Sequence, residues 1–304
     1  MQDSAELKCR KESDMASRLE ELRGHYLKLI KKTLTRRLWR THLSPVFQSN
    51  SFSARLARWI TDRILSLPPF ANRGMVLLRQ LPESATEEGS FWPIDGHTMV
   101  GWKRLENVQT CVETILAEGI EGDLLEAGVW RGGVAIFMKA LLYAYGEDMR
   151  RVIVADSFAG FPNPRLEDQE DRHWTVKNSA AEAFMSVSEE EVRDNFSRYG
   201  LLDDKVVFLK GFFHETLPNA PIEKLALLRA DADMYRSTMD ILESLYDQVR
   251  GLAPPLGAGK DSADGVAVLG FGFAETSPLA RFQCGVCCCP GVLAHDESRR
   301  AATA

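Results

Sequence analysis

Residues 122–133 read Gly-Asp-Leu-Leu-Glu-Ala-Gly-Val-Trp-Arg-Gly-Gly. An apolar run closes on an acid, Glu126. Glycine follows at Gly128 and again as the pair Gly132–Gly133, and an apolar pattern of helical period starts behind them. That succession predicts a strand, a tight turn and the start of a helix. Glycine lets the backbone approach a ligand closely, and a helix N-terminus presents N–H groups without intrahelical acceptors. An acid at the strand end can accept hydrogen bonds from a cationic or hydroxylated ligand. The Gly-x-Gly-x-x-Gly spacing of a dinucleotide turn is absent. The turn therefore points to a nucleotide-type cofactor, and the acid at its front favours S-adenosylmethionine.

The surrounding chain repeats the strand–helix alternation. A helix is expected from about Thr98 to Glu118, with Leu105, Val108, Val112, Ile115 and Leu116 on one face. Strand 123–127 precedes helix 133–145. Strand 152–156 precedes a long polar loop, 159–187. Helix 188–199 precedes strand 205–210, and strand 224–230 precedes helix 235–249. Alternation of this kind implies a parallel sheet covered on both faces, with ligands beyond the carboxyl ends of its strands. The fold class expected is α/β, a doubly wound, mostly parallel, Rossmann-like sheet. A helical N-terminal extension and loop (1–97) precedes the core (98–250), and a divergent tail (251–304) follows.

The flanks read differently. Residues 1–63 carry 14 Lys plus Arg against 7 Asp plus Glu. The stretch from Leu22 to Trp39 places Leu22, Tyr26, Leu29, Ile30, Leu34 and Leu38 at helical spacing, the pattern of a face that packs on its own domain. Pro68–Pro69 breaks it, and 82–97 reads as a polar loop. Residues 251–265 are rich in Gly, Pro and Ala, Val266–Phe273 has the look of one more strand, and 276–304 show no period. Cys284, Cys287, Cys288 and Cys289 resemble half of a zinc knuckle whose second Cys-x-x-Cys is missing, so an irregular tail with exposed thiols is expected.

Charge and hydropathy exclude some functions. The formal net charge of −6 argues against a protein built to hold nucleic acid. No apolar run reaches the length of a membrane span, and the N-terminus lacks a secretory apolar core, so cytoplasmic placement is the expectation. The expected partner is a small hydroxylated acceptor; a homo-oligomer is left open.

Acids recur at the predicted strand ends. Glu126 closes the first strand and Asp156 the second, followed by Ser157. Asp231 and Asp233 follow the fourth. In a doubly wound sheet these positions converge on one rim. An acid after the second strand suits ribose hydroxyls, and one after the fourth suits a divalent cation. Each acid alone also reads as a helix cap; their common position is what carries the signal.

Several stretches together resemble the macrocin O-methyltransferase family, whose members methylate sugar hydroxyls of macrolide antibiotics. They are His97–Asn107, Gly122–Gly133, Ala155–Gly160, Asn195–Leu201, Gly211–Pro218 and the 228–240 block. The resemblance implies a class I S-adenosylmethionine-dependent fold that also uses Mg²⁺. It implies that Thr98, Met99, Glu126, Gly128, Asp156 and Ser157 line the cofactor, with Gly211 and Phe212 nearby, and that Asp231 binds the metal and takes part in catalysis. His173, in the loop expected to cover the substrate, is a candidate base, although a lone loop histidine is more often a surface residue.

The resemblance stops near Val249. Family members continue with Gly-Gly, an apolar strand and an acidic pair that completes the metal site. This chain reads Arg250-Gly251-Leu252-Ala253-Pro254-Pro255-Leu256-Gly257, and only Asp261, Asp264 and Glu275 are near enough to substitute. Two expectations follow: an O-methyltransferase with a weakened metal site, or a methyltransferase-like protein impaired in turnover, of the kind a truncation or frameshift leaves.

Overall fold

A computed structural model of the chain describes residues 2–45, 56, 59–60, 63–64, 78–90, 92–163, 171 and 179–249. His173, Asp261, Asp264, Glu275, the strand expected at 266–273 and the cysteine cluster lie outside these residues.

Chain order runs α1 (Gln2–Leu34), β1 (His42–Pro45), β2 (Leu78–Leu81), α2 (Glu83–Glu88), α3 (Trp102–Glu118), β3 (Asp123–Ala127) and α4 (Gly133–Tyr145). It continues with β4 (Val152–Asp156), α5 (Ser179–Met185), α6 (Glu189–Arg198), β5 (Val206–Lys210), α7 (Phe213–Thr216), β6 (Leu225–Ala230) and α8 (Tyr235–Leu245). Short 3₁₀ turns follow α7 and α8.

The main sheet is parallel, in the order β5-β4-β3-β6. The chain winds outward from β3 through β4 to β5, then crosses to the other side of β3 for β6. The order thus reverses between β3 and β6, where sheets of this kind open a crevice at their carboxyl ends. A register shift between Asp123 and Leu124 sets Glu126 opposite Arg229 on β6.

Alternation along the strands divides the core. Leu124, Val152, Val154 and Val206 face a cluster that also holds α1, α3 and α4 side chains. Leu125, Ile153, Ala155 and Leu228 face a second cluster with Ile241 and Leu245 of α8 and Leu217. Helix α4 is buried continuously from Gly133 to Leu142, as an all-round apolar sequence requires. Its single buried cation, Lys139, pairs with Asp203 at 2.8 Å. Ser188 caps α6 by accepting from the Glu191 amide, and Glu189, Glu190 and Glu191 face the positive end of that helix.

The structure corrects the flanks. Helix α1 does pack on the body, through Tyr26, Ile30 and Leu34 of the expected stripe together with Leu27; Leu22, Leu29 and Leu38 are exposed. The Nε of Arg23 donates to the Ala144 carbonyl and its guanidinium lies over the Tyr145 ring, which ties α1 to the end of α4. The antiparallel pair β1–β2 was not anticipated, nor was α2 inside the expected polar loop. The helix expected from Thr98 begins at Trp102, with Gly101 at its N-cap. The helix expected to reach 249 ends at Leu245.

Phe137 is fully buried on α4. Truncation to alanine removes its contacts and leaves a cavity that a close-packed interior fills only partly. Phe137→Ala is expected to cost about 3–5 kcal/mol, read from the urea unfolding midpoint.

Candidate functional site

The carboxyl edge of the sheet is built first from backbone. Gly128 N–H donates to the Ala155 carbonyl (2.9 Å), Gly211 N–H to the Asp156 carbonyl (2.9 Å) and Asp231 N–H to the Ala127 carbonyl (2.8 Å). These bonds stitch the segments after β3, β5 and β6 onto their neighbours, so that Gly128, Asp156, Gly211 and Asp231 share one rim. Three non-glycine residues on this rim have left-handed backbone: Trp130 (φ 49°), Phe158 (φ 53°) and Asp233 (φ 57°). Such conformations cost energy and persist only where surrounding contacts enforce them.

Gly128 is required where it stands. Its φ is 88°, and a Cβ there would lie 2.1 Å from the Asp231 carbonyl oxygen. Gly133, at the start of α4, has the same role toward the preceding segment: a Cβ would lie 2.3 Å from the His97 carbonyl oxygen. The backbone of His97–Thr98 therefore rests directly on the glycine turn. Thr98 is buried, and its hydroxyl accepts from the Val100 amide at 3.0 Å.

The acids are held in different ways. Glu126 is 2 % exposed, and its Oε1 accepts from Arg229 Nη1 at 2.6 Å. Its Oε2 is buried without a hydrogen bond of ordinary geometry, and the Ala135 amide steadies the carboxyl only weakly. Arg229 spans to a second acid, donating through Nη2 to Asp231 Oδ2 at 2.7 Å. Burial pushes the Glu126 carboxyl up to about 8, against the pull of Arg229; Asp231 adds to the rise. Burial pulls the Arg229 guanidinium down, but Asp231 and Glu126 together hold it above its ordinary value, so it stays a cation.

Asp156 is bound mainly by amides. Its Oδ2 accepts from Val129 N–H (2.8 Å) and its Oδ1 from Phe158 N–H (2.9 Å). Burial raises its pKa, and the amides of Phe158, Val129 and Trp130 oppose the rise. Ser157 turns its hydroxyl to the Gly160 carbonyl at 2.6 Å. Asp233 has its carboxyl pushed well above the usual range by burial and then by Asp231, with Arg229 and Arg104 opposing. Gly211 and Phe212 follow β5, with Phe212 as the N-cap of α7.

Thr98, Glu126, Gly128, Asp156, Ser157, Gly211, Phe212 and Asp231 thus gather along the edge formed by the carboxyl ends of β3–β6 and the segment before α3. Met99, next to Thr98, is half-buried. Among the described residues, no group of three or more His, Cys, Asp or Glu gathers as a metal cage.

Two further residues of this edge were not foreseen. One is Arg229, whose position inside an otherwise apolar, fully buried strand is itself a signal, since a buried charge demands a partner. The other is Arg131. Its Nη1 lies 3.1 and 3.0 Å from the Ile94 and Gly96 carbonyls, and its guanidinium lies 4.3 Å from the Trp130 ring centroid. It ties the glycine turn to the segment that leads into Thr98. His97 adds a second tie: its Nδ1 is 2.8 Å from the Tyr199 hydroxyl, and burial together with Arg131 and Arg198 lowers its pKa.

The model of the macrocin O-methyltransferase (TylF) family matches residues 23–251. The chain belongs to this family.

Among curated relatives, an 8-demethyl-8-(2,3-dimethoxy-α-L-rhamnosyl)-tetracenomycin-C 4′-O-methyltransferase of Streptomyces olivaceus is 52% identical over 162 residues, 53% of this chain and 61% of that protein. The mycinamicin III 3″-O-methyltransferase of Micromonospora griseorubida is 46% identical over 177 residues, 58% of this chain and 70% of the relative. The demethyldecarbamoylnovobiocin O-methyltransferase of Streptomyces niveus is 48% identical over 170 residues, 55% of this chain and 63% of the relative. The match therefore spans less than two thirds of the length of the first and third of these proteins. The solved structure of the O-methyltransferase NovP superposes with a TM-score of 0.58 at 38% identity, over 74% of this chain and 79% of that one. The family's Rossmann-like methyltransferase fold accounts for the parallel sheet and its helices. No helix among the described residues is long and apolar enough to cross a membrane.

Two outcomes follow from the geometry. Gly128→Ala places a methyl group against the Asp231 carbonyl and strains a left-handed backbone, so a loss of about 1–3 kcal/mol is expected in thermal unfolding. The raised carboxyl of Glu126 means that the folded protein holds a proton that the unfolded chain releases near pH 4.5. Its contribution is full below that pH and is lost as pH rises toward about 8. Wild type is therefore expected to lose stability relative to Glu126→Gln across that window, and parallel urea midpoints from pH 5 to 8 would contradict it.

Proposed function

We propose that the chain is an S-adenosylmethionine-dependent O-methyltransferase acting on a hydroxyl of a sugar or another polyhydroxylated small molecule. The observation that carries this reading is the convergence of Glu126, Asp156 and Asp231 on one rim around a glycine turn, in a chain of this family. A cationic donor with ribose hydroxyls fits that rim. A cation brought beside the buried Glu126 carboxyl would draw off the proton that burial leaves on it, and Asp156 has acceptor capacity beyond the amides it already takes.

In this reading Thr98, Met99, Glu126, Gly128, Asp156, Ser157, Gly211 and Phe212 line the donor. S-adenosylmethionine supplies an electrophilic methyl group. The residues of the chain orient donor and acceptor, and alignment of two reactants is worth about 7–11 kcal/mol in favourable cases. Arg229 fixes the direction of Asp231 through Oδ2, so that Oδ1 is the oxygen turned toward a hydroxyl or a cation in this reading.

The donor set fits Mg²⁺ in its minimal form. Asp231 offers one carboxylate, the least such a site needs beside waters and substrate oxygens. Bound there, Mg²⁺ would polarise an acceptor hydroxyl. The relatives act on hydroxyls of tetracenomycin, mycinamicin and novobiocin precursors by their names; a glycoside of that general type is the acceptor we favour, in a cytoplasmic setting.

A second reading is a methyltransferase-like protein that binds the donor without turnover. It is favoured by the sequence after Val249, which lacks the acidic pair expected of the family. Isothermal titration with S-adenosylmethionine, followed by methyl transfer to deoxysugar glycosides with and without EDTA, separates the two. The first reading expects binding, turnover and at least a tenfold loss of rate in EDTA, of the order that removal of an electrostatic stabiliser gives. Asp156→Asn is expected to weaken donor binding by about tenfold, the effect of one charge-assisted hydrogen bond. Binding with no transfer selects the second reading, and no binding removes both.

A further inference from the structure

We propose that Asp171 is a positioning residue for this site: its carboxylate clamps the start of α8 and so fixes the turn 231–234, which carries Asp231 and Asp233. Its catalytic consequence rests on the methyltransferase reading; its mechanical consequence rests on geometry alone.

The first amides of a helix have no intrahelical acceptor and need another one when buried. Helix α8 begins at Tyr235, and its N-cap residue, Met234, has no side chain able to cap it. Asp171 supplies the missing acceptors from 64 residues upstream. Its Oδ1 accepts from Tyr235 N–H at 2.8 Å and its Oδ2 from Arg236 N–H at 2.9 Å. Two oxygens on two successive amides fix the plane of the carboxylate as well as its position. Asp171 is 1 % exposed, so water does not stand in for it. Its negative charge faces the positive end of α8, an arrangement that stabilises both. The one cation on this turn of helix is engaged elsewhere: Arg236 Nη2 pairs with Asp240 at 2.6 Å and with Glu243 at 3.1 Å.

The turn between β6 and α8 is thereby held at both ends. Upstream, Asp231 N–H is bonded to the Ala127 carbonyl, and the Asp231 carbonyl packs on Gly128. Downstream, Asp171 holds the amides of Tyr235 and Arg236. Between the two lies Asp233 with φ 57°, a conformation that relaxes once one end is released. Removal of the Asp171 carboxylate frees the first turn of α8 and loosens the downstream end of the turn 231–234, so that Asp231 is steadied only by Arg229 and the Ala127 carbonyl. The donor-side residues Thr98 and Asp156 are anchored independently, on the glycine turn and on the amides of Val129 and Phe158.

The test compares the full-length wild type with Asp171→Ala and Asp171→Asn. It uses amide hydrogen exchange, calorimetry with S-adenosylmethionine, and methyl-transfer rates on a deoxysugar glycoside. For Asp171→Ala, exchange of Tyr235 and Arg236 is expected to accelerate by about tenfold, the effect of losing a helix cap, with the increase spreading to 231–234. The kcat is expected to fall by about tenfold while the dissociation constant of S-adenosylmethionine stays within about twofold. Asp171→Asn keeps one acceptor oxygen and is expected to fall between; if the alanine variant does not fold, the asparagine variant carries the same measurements. Unchanged exchange at 231–236 overturns the clamp. Accelerated exchange with unchanged kcat overturns the positioning role, since the cap then serves stability alone. A wild type without turnover sinks the methyltransferase reading instead, and the exchange data still decide the clamp.

Discussion

One buried guanidinium sets the geometry on which the rest of the sheet edge depends. Arg229 lies on β6, is 4 % exposed, and donates to Glu126 across the strand pair and to Asp231 beyond its own strand. Taking a guanidinium and two carboxyl groups out of water is costly, and such a buried cluster gives weak net stability against well-packed apolar residues. What it gives is specificity. Arg229 satisfies both acids only if β3 and β6 keep the register that sets Glu126 opposite it, and the shift at Asp123–Leu124 exists to make that register. A slip of one residue would turn Arg229 to the other face, toward the apolar cluster of Leu125, Ala127 and Ile241 and away from Glu126. The crevice where the strand order reverses is therefore locked by charge rather than by apolar packing alone.

Around that lock the rim is built from main chain. Trp130, Phe158 and Asp233 each adopt left-handed backbone just beyond β3, β4 and β6, and inter-segment hydrogen bonds join those turns into one edge. Asp156 links two of the turns at once, taking the amides of Val129 and Phe158 on separate oxygens. Arg131 and His97 extend the edge outward by fastening the segment before α3 to the glycine turn and to Tyr199.

Much of this was legible in the chain. Strands β3 and β4 and helix α4 have the boundaries the sequence predicts, because glycine at 128, 132 and 133 and at 146 punctuates apolar runs whose period changes abruptly. The acids at the strand ends were legible for the same reason: a parallel strand buried on both faces tolerates an acid only near its mouth. The flanks were harder. Strands β1 and β2 are four residues each and lie more than thirty residues apart, too short for alternation to register and too far apart to suggest pairing. Helix α1 carries apolar residues on more than one face, and periodicity alone does not say which of them meets the body. Arg229 was legible in principle, as a lone charge inside a buried run. Arg131 and Asp171 were not, since each acts on backbone groups far away in sequence, and no spacing encodes a carbonyl or an amide.

A rim shaped by peptide groups has an evolutionary consequence. Half-buried side chains on it, such as Met99 and Phe212, can be exchanged without moving the framework that presents them, because the framework is held by amides, by glycine and left-handed turns, and by Arg229. Such a scaffold can drift from one small molecule to another by altering its lining while its architecture stays constant. The positions closed to drift are the few where a single added methyl group would collide with a neighbouring carbonyl.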